Sequence, residues 1–380
     1  MSMKPYIPVP MLPGPVSVPD SALKLMARDY GADDFDAAYG DLYRDTGKKL
    51  ARLAGTQEDI VIMTGEGMLG LWASLKSCLK PGDRVMAVGT GLFGDGLGQM
   101  AACLGCEVLH YSLSYNQTIG QTAPPASCPR LGGEASPDFT HIEEAVSRFK
   151  PKMITTVHCE TPSGTLNPLE TLGRIKKDSG TPLFCVDAVA SWGGAPVNAD
   201  VCGIDLLLGG SQKCLSAPPN LTFMGVSAKA WEVIEAVDYA GYDALKPWRA
   251  VPETGICPYT PYWHGLAALH ECAELLLAEG PQKVFARHEA AARACREGLV
   301  SLGIELFPAP GAVPAPTVTA AYLPRGREWL AWRDALKDAG LAAAGSFGPM
   351  EGKVFRLGHM GAQAELKLVQ EALSIIAKFV

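Results

Sequence analysis

The sequence predicts an α/β protein: a mostly parallel, doubly wound sheet in a large domain, followed by a smaller α+β C-terminal domain. Three observations carry this. Strand-length apolar runs alternate with helix-length segments through the first two thirds of the chain, the pattern of a parallel sheet covered on both faces. Glycine-rich turns follow several of those runs, as in Thr64-Gly65-Glu66-Gly67 and Gly91-Leu92-Phe93-Gly94. Beyond about residue 280 the rhythm changes to short strands between helices. The 380 residues are 48 % apolar and 19 % charged, a balance that supports a large core and argues against disorder.

In chain order, residues 1–18 are proline-rich and read as an extended arm suited to packing on a partner chain. Residues 20–54 read as mainly helical. Ile60–Met63 is a short apolar strand, and the helix over 68–79 stops at Lys80-Pro81-Gly82-Asp83. Arg84–Val88 is the next strand, a helix runs to about Leu104, and Glu107–His110 opens another strand. The stretch 115–138, rich in Pro, Ser and Gly, is a loop. Strands are expected at 153–160, 182–191 and 203–210, with a helix over 169–180 ended by glycine. A single long helix over 265–300 leads to short strands at 304–307 and 317–323, a helix at 327–339, a strand at 353–357 and a last helix at 363–379. The implied division is an arm (1–18), a large domain (19–279) and a small domain (280–380).

Composition excludes several function classes. The net charge is −7 and the pI about 5.6, with no basic patch for nucleic acid. The 11 cysteines sit mostly inside apolar segments, as reduced thiols in a cytoplasmic protein do. The opening MSMKPYIPVPMLPGP is too proline-rich for a signal-peptide core, and no apolar run approaches the ~18 residues of a membrane span. Cys103 and Cys106 form one CxxC with no second pair, which reads as a turn with two buried thiols and no metal site. His158-Cys159-Glu160 reads as a strand end more readily than as a thiol nucleophile.

Open α/β sheets bind ligands at the carboxyl ends of their strands. There the sequence places Glu66, Gly67 and Met68 at a helix entry, then Phe93, Thr161, Asp187, Gln212 and Lys213. Lys213 follows Gly209-Gly210-Ser211 hard against an apolar strand, a setting no surface lysine needs. Asp187 lies inside Phe184-Cys185-Val186-Asp187-Ala188, where an acid is costly unless paired. A helix N-terminus for a phosphate, an aromatic plate, a buried carboxylate and a lysine describe a pocket for pyridoxal 5′-phosphate. The lysine supplies the Schiff base and the carboxylate keeps the ring nitrogen protonated.

The segments VDAVASWGG, GIDLLLGGSQKCLSAPP, the opening MLPGPVSVP and the late KVFRLGHMG together resemble the class V, fold type I aminotransferases of the alanine/serine–glyoxylate (serine–pyruvate) group. The resemblance covers nearly the whole chain. It implies Lys213 as the Schiff-base lysine, Asp187 at the pyridine nitrogen and Val189 under the ring. It also implies Gln212 beside the phosphate, Thr161 near the phenolic oxygen, and His158 near the cofactor. Arg356 would bind the substrate carboxylate, which suits a planar guanidinium. Thr260 would reach the phosphate of the neighbouring subunit, so a homodimer with interfacial sites is expected. The substrates implied are alanine or serine with glyoxylate or pyruvate.

Glu66, Phe93 and Cys257 depart from the group's usual residues, and a carboxylate beside a phosphate dianion is unfavourable. These departures resemble pyridoxamine–pyruvate aminotransferases, in which unphosphorylated pyridoxamine or pyridoxal is the substrate; Glu66 would then bind its hydroxymethyl group. A pyridoxal-phosphate lyase or cysteine desulfurase shares the fold, but no convincing mobile-loop cysteine is visible.

Overall fold

The computed structural model describes residues 7–31, 37–121 and 132–380. Seven strands make the central sheet: β1 (Asp59–Thr64), β2 (Arg84–Gly89), β3 (Glu107–Ser112), β4 (Met153–Val157), β5 (Leu183–Asp187), β6 (Leu206–Gly210) and β7 (Leu221–Val226). Their order is β1-β7-β6-β5-β4-β2-β3. Strand β7 runs antiparallel to both its neighbours; the remaining pairs are parallel. Strands β4 to β7 are buried at every residue, which is why they read as continuous apolar runs without alternation.

Helices cover the sheet. They are α1 (Asp20–Met26), α2 (Ala37–Ala54), α3 (Gly67–Cys78), α4 (Leu92–Cys103), α5 (Phe139–Phe149), α6 (Leu169–Ser179) and α7 (Ala228–Val237). Side chains cap α5 and α7, among others: Asp138 accepts from Thr140 N at 2.9 Å before α5, and Ser227 accepts from Ala230 N at 3.0 Å before α7. Sequence reasoning marked neither helix, nor β7. The β7 segment follows Pro218-Pro219 and returns directly beside β6, with no helical crossover to announce it.

The second half departs from expectation in two places. The expected helix over 265–300 is two, α8 (Trp263–Glu279) and α9 (Pro281–Ser301). Gly280, at φ 93°, ends the first, and Pro281 opens the second, where a missing N–H costs nothing. The expected strand at 304–307 is a single bridge, Leu306 to Ala321. The arm packs on its own chain, with Val9–Pro10 pairing parallel to Leu341–Ala342. Its apolar side chains explain this: Val9 and Met11 complete an apolar cluster built from α9 and the C-terminal elements. Those elements are β8 (Val318–Tyr322), α10 (Trp329–Asp338), β9 (Ala344–Gly345), β10 (Val354–Gly358) and α11 (Leu366–Ile376), with the strands in the antiparallel order β8-β10-β9.

The loop expected at 115–138 partly lies outside the described residues. The Cys103/Cys106 turn is present, but its thiols are not buried: Cys103 is exposed and Cys106 half-buried. No helix among the described residues is long and apolar enough to cross a membrane.

Candidate active site

Strands β1, β2, β4, β5 and β6 end on one edge of the sheet. A cavity of about 200 Å³ opens there, lined by Glu66, Gly67, Met68, Leu71, Phe93, Cys159, Thr161, Asp187, Val189, Ala190, Gln212 and Lys213. Of the site residues expected from sequence, all but His158, Thr260 and Arg356 line it. A wider cleft at the opposite, amino edge holds Lys152, but that lysine is already paired with Asp83 at 2.7 Å.

Asp187 is the last residue of β5, set between Val157 of β4 and Leu208 of β6. Its carboxylate accepts one hydrogen bond from Val189 N at 2.8 Å. Burial pushes the carboxyl up to about 6; the Val189 amide and Lys213 pull it back, and Glu66 adds to the rise. Strand β6 ends at Gly210, and the next turn delivers Lys213 to the same space. Lys213 Nζ donates to Pro13 O at 2.6 Å. Burial holds this amine below its ordinary range, with Arg356 adding to the fall; Cys214, Cys159 and Asp187 oppose it.

Two helices point their N-termini at the cavity. Gly67 begins α3, and a Cβ there would stand 2.9 Å from Val189 Cγ2, so only glycine lets the helix approach that wall. Glu66 caps α3 by accepting from Met68 N at 3.1 Å; its side chain is solvent-exposed at the mouth of the cavity, on the helix entry. At α4, Glu160 from the segment after β4 accepts from Gly94 N at 2.5 Å and Phe93 N at 3.4 Å. Burial pushes this carboxyl up to about 8 against the pull of those two amides.

Arg356, on β10, is buried beyond the cavity wall. Its Nε and Nη2 both donate to Gly345 O, at 2.8 and 2.7 Å, and its guanidinium lies 4.6 Å from the centre of the Phe347 ring. Burial lowers it to about 10. Among the described residues Nη1 has no hydrogen-bond partner. Thr260 is exposed and lies outside its own chain's cavity. His158 is set one layer back: it shares a hydrogen bond of 2.9 Å with Ser191 and is lowered to about 4 by burial, while the adjacent Cys159 lines the cavity.

The chain's residues 128–321 match the family model for aminotransferase class-V. An uncharacterised aminotransferase of Methanocaldococcus jannaschii is 34 % identical over 94 % of this chain and 89 % of its own length. The chain belongs to the class-V aminotransferase family. The pyridoxamine–pyruvate transaminase of Mesorhizobium japonicum is 32 % identical over 93 % of this chain and 86 % of its own. The crystal structure of pyridoxamine–pyruvate aminotransferase from Mesorhizobium loti superposes with a TM-score of 0.90 at 28 % identity, covering 100 % of this chain and 93 % of that one.

The cavity of this class-V aminotransferase fits a pyridoxal-type group. The Oε1 of Gln212 is buried and has no hydrogen-bond partner among the described residues. A carboxylate, a primary amine, an aromatic face and a helix entry converge on one small space. Sequence reasoning missed Leu71, Cys159 and Ala190 as lining residues, and the contact of Pro13 with Lys213. Ala190 follows Asp187 by three residues and Cys159 precedes Thr161 by two, so the strand-end rule reaches both.

Proposed function

We propose that the chain moves an amino group from a small amino acid, alanine or serine, to a small 2-oxo acid, glyoxylate or pyruvate. The observation that carries this is the convergence of Lys213 and Asp187 on one small cavity, with the Arg356 guanidinium behind it. When bound, pyridoxal 5′-phosphate supplies an aldehyde carbon for amine exchange and a ring that accepts an electron pair. Asp187 holds a proton at the ring nitrogen, and its burial beside a single amide makes such a cation its natural partner. Phe93 and Val189 line the cavity and would pack against the ring and exclude water. Gln212 supplies the unpartnered acceptor, and Thr161 stands at the phenolic side. Lys213, whose amine burial holds below its ordinary range, is the group that would move the α-carbon proton. Arg356 receives the substrate carboxylate on its Nη1 side. The arm (1–18), large domain (19–279) and small domain (280–380), a cytoplasmic homodimer, and the reach of Thr260 into the partner's site belong to the same reading.

Glu66 favours a second reading. Its carboxylate already caps α3, the helix entry a phosphate dianion would take, and Glu160 already caps α4. A neutral hydroxymethyl group can donate to Glu66 where a phosphate would be repelled. On this reading unphosphorylated pyridoxamine is the amino donor and pyruvate the acceptor.

The test is product formation by purified protein given L-alanine or L-serine with glyoxylate, and separately pyridoxamine with pyruvate. Lys213→Ala should lower either activity by at least about a thousandfold. Full activity in that variant contradicts both readings.

A further inference from the structure

The N-terminal arm runs from the C-terminal apolar cluster to Lys213 at the cavity, tied along the way by hydrogen bonds that fix its backbone. Val9 N donates to Gly340 O at 3.0 Å and Met11 N to Ala342 O at 3.0 Å. Gly358 N donates to Met11 O at 2.7 Å. Gln363 Nε2 donates to Leu12 O at 3.0 Å, and its Oε1 accepts from Ser17 N at 3.1 Å. Val16 N donates to Gln212 O at 3.1 Å, next to the lysine. Between the anchors at Leu12 and Val16 lies Pro13-Gly14-Pro15. Two proline rings stiffen it.

What this short span presents to the cavity is specific. Pro13 offers its carbonyl to Lys213 Nζ at 2.6 Å. Gly14, at φ 96°, lies flat along the lysine stem: a Cβ there would stand 2.5 Å from Lys213 Cδ, 2.8 Å from Cε and 2.7 Å from Nζ. A side chain at 14 is excluded twice, by backbone conformation and by the lysine itself. The acceptor and the space are thus built together.

We propose that residues 12–16 form a clamp that docks the free Lys213 amine on the Pro13 carbonyl, making Pro13 and Gly14 positioning residues for the lysine. This rests on the reading of Lys213 as the reacting amine. The need is physical. A buried amine without an acceptor is unfavourable, and a long flexible side chain released from its bond would otherwise spread over several rotamers. A carbonyl only accepts. It takes one N–H of the amine and so fixes where the nitrogen sits beside the cavity. Because the arm is tied to Gln212 on one side and to Gly358 and Gln363 on the other, the docking point is registered against both halves of the molecule.

The test compares full-length wild type, Gly14→Ala and Gln363→Ala, each stripped of cofactor and checked by circular dichroism. Gln363→Ala loosens the arm by removing its hydrogen bonds to Leu12 O and Ser17 N, without touching Lys213. A brief pulse of acetic anhydride is followed by peptide mass spectrometry of Lys213, with Lys152, paired to Asp83 at the opposite edge, as internal reference. The clamp predicts about tenfold faster labelling of Lys213 relative to Lys152 in each folded variant, the size of one lost strong hydrogen bond. In cofactor-loaded protein, kcat should fall about tenfold, with KM for the amino donor within about twofold of wild type. Unchanged relative labelling in either folded variant overturns the proposal. Wild type that transfers no amino group while the labelling difference persists overturns the functional reading and leaves the clamp.

Discussion

Lys213, Asp187 and Glu160 are three ionisable groups brought out of water, each with a different compensation. Lys213 has a carbonyl, Asp187 one amide, and Glu160 two amides at a helix entry. Glu160 gives the clearest pH test. Its folded pKa is raised, so the folded state binds the proton more tightly than the unfolded chain. The stability this contributes is complete below about 4.5 and is lost as pH rises through about 8. Glu160→Gln should therefore flatten the decline of the cofactor-free melting curve between those limits, by a few kcal/mol in all at roughly 1.4 kcal/mol per pH unit. Parallel declines in wild type and variant would show that Glu160 does not titrate there. At this scale the sequence exposed Lys213 and Asp187 because their neighbours are wrong for a surface lysine or a solvated acid. It hid Pro13 and Gly14, whose contact with Lys213 spans 200 residues and depends on where the arm folds back.

Helix α3 is the element on which the choice of substrate turns. Its entry is built for an anion, with backbone N–H groups at the cavity and Gly67 tight against Val189, yet the chain supplies its own anion in Glu66. If Glu66 binds a free hydroxymethyl group, Glu66→Gln should weaken pyridoxal binding about tenfold and strengthen pyridoxal 5′-phosphate binding, measured by absorbance titration of the stripped protein. Weakened binding of both would assign Glu66 to helix stability alone. Elements with strong local signals, such as α3, β2 and α6, were legible from apolar runs and glycine stops. The α8–α9 break was not, because Gly280-Pro281 falls between two segments of one helical pattern. Strand β7 was not, because nothing local distinguishes a hairpin return from a loop.

For the whole molecule, the proposed reach of the exposed Thr260 into a partner's site is what the dimer must supply. Thr260 follows Cys257, and Cys257 lies against Tyr39 at the edge of an aromatic group with Tyr43 and Trp263. Sedimentation should give twice the 40.2 kDa chain mass. Thr260→Ala should weaken pyridoxal 5′-phosphate binding several-fold and leave unphosphorylated pyridoxal unaffected; a monomer with full activity would remove the interfacial site. The fold class was legible because a parallel sheet imposes its rhythm on the sequence. The arm's return to its own chain was not, because an extended proline-rich segment carries no signal of what it will cover. The most direct measurement is the visible absorbance of purified protein before and after adding L-alanine, alone and with pyridoxal. The account predicts a yellow band, either present on purification or formed with pyridoxal, that bleaches on adding L-alanine and is absent in Lys213→Ala. A band that L-alanine leaves untouched, or one that survives in Lys213→Ala, would contradict it.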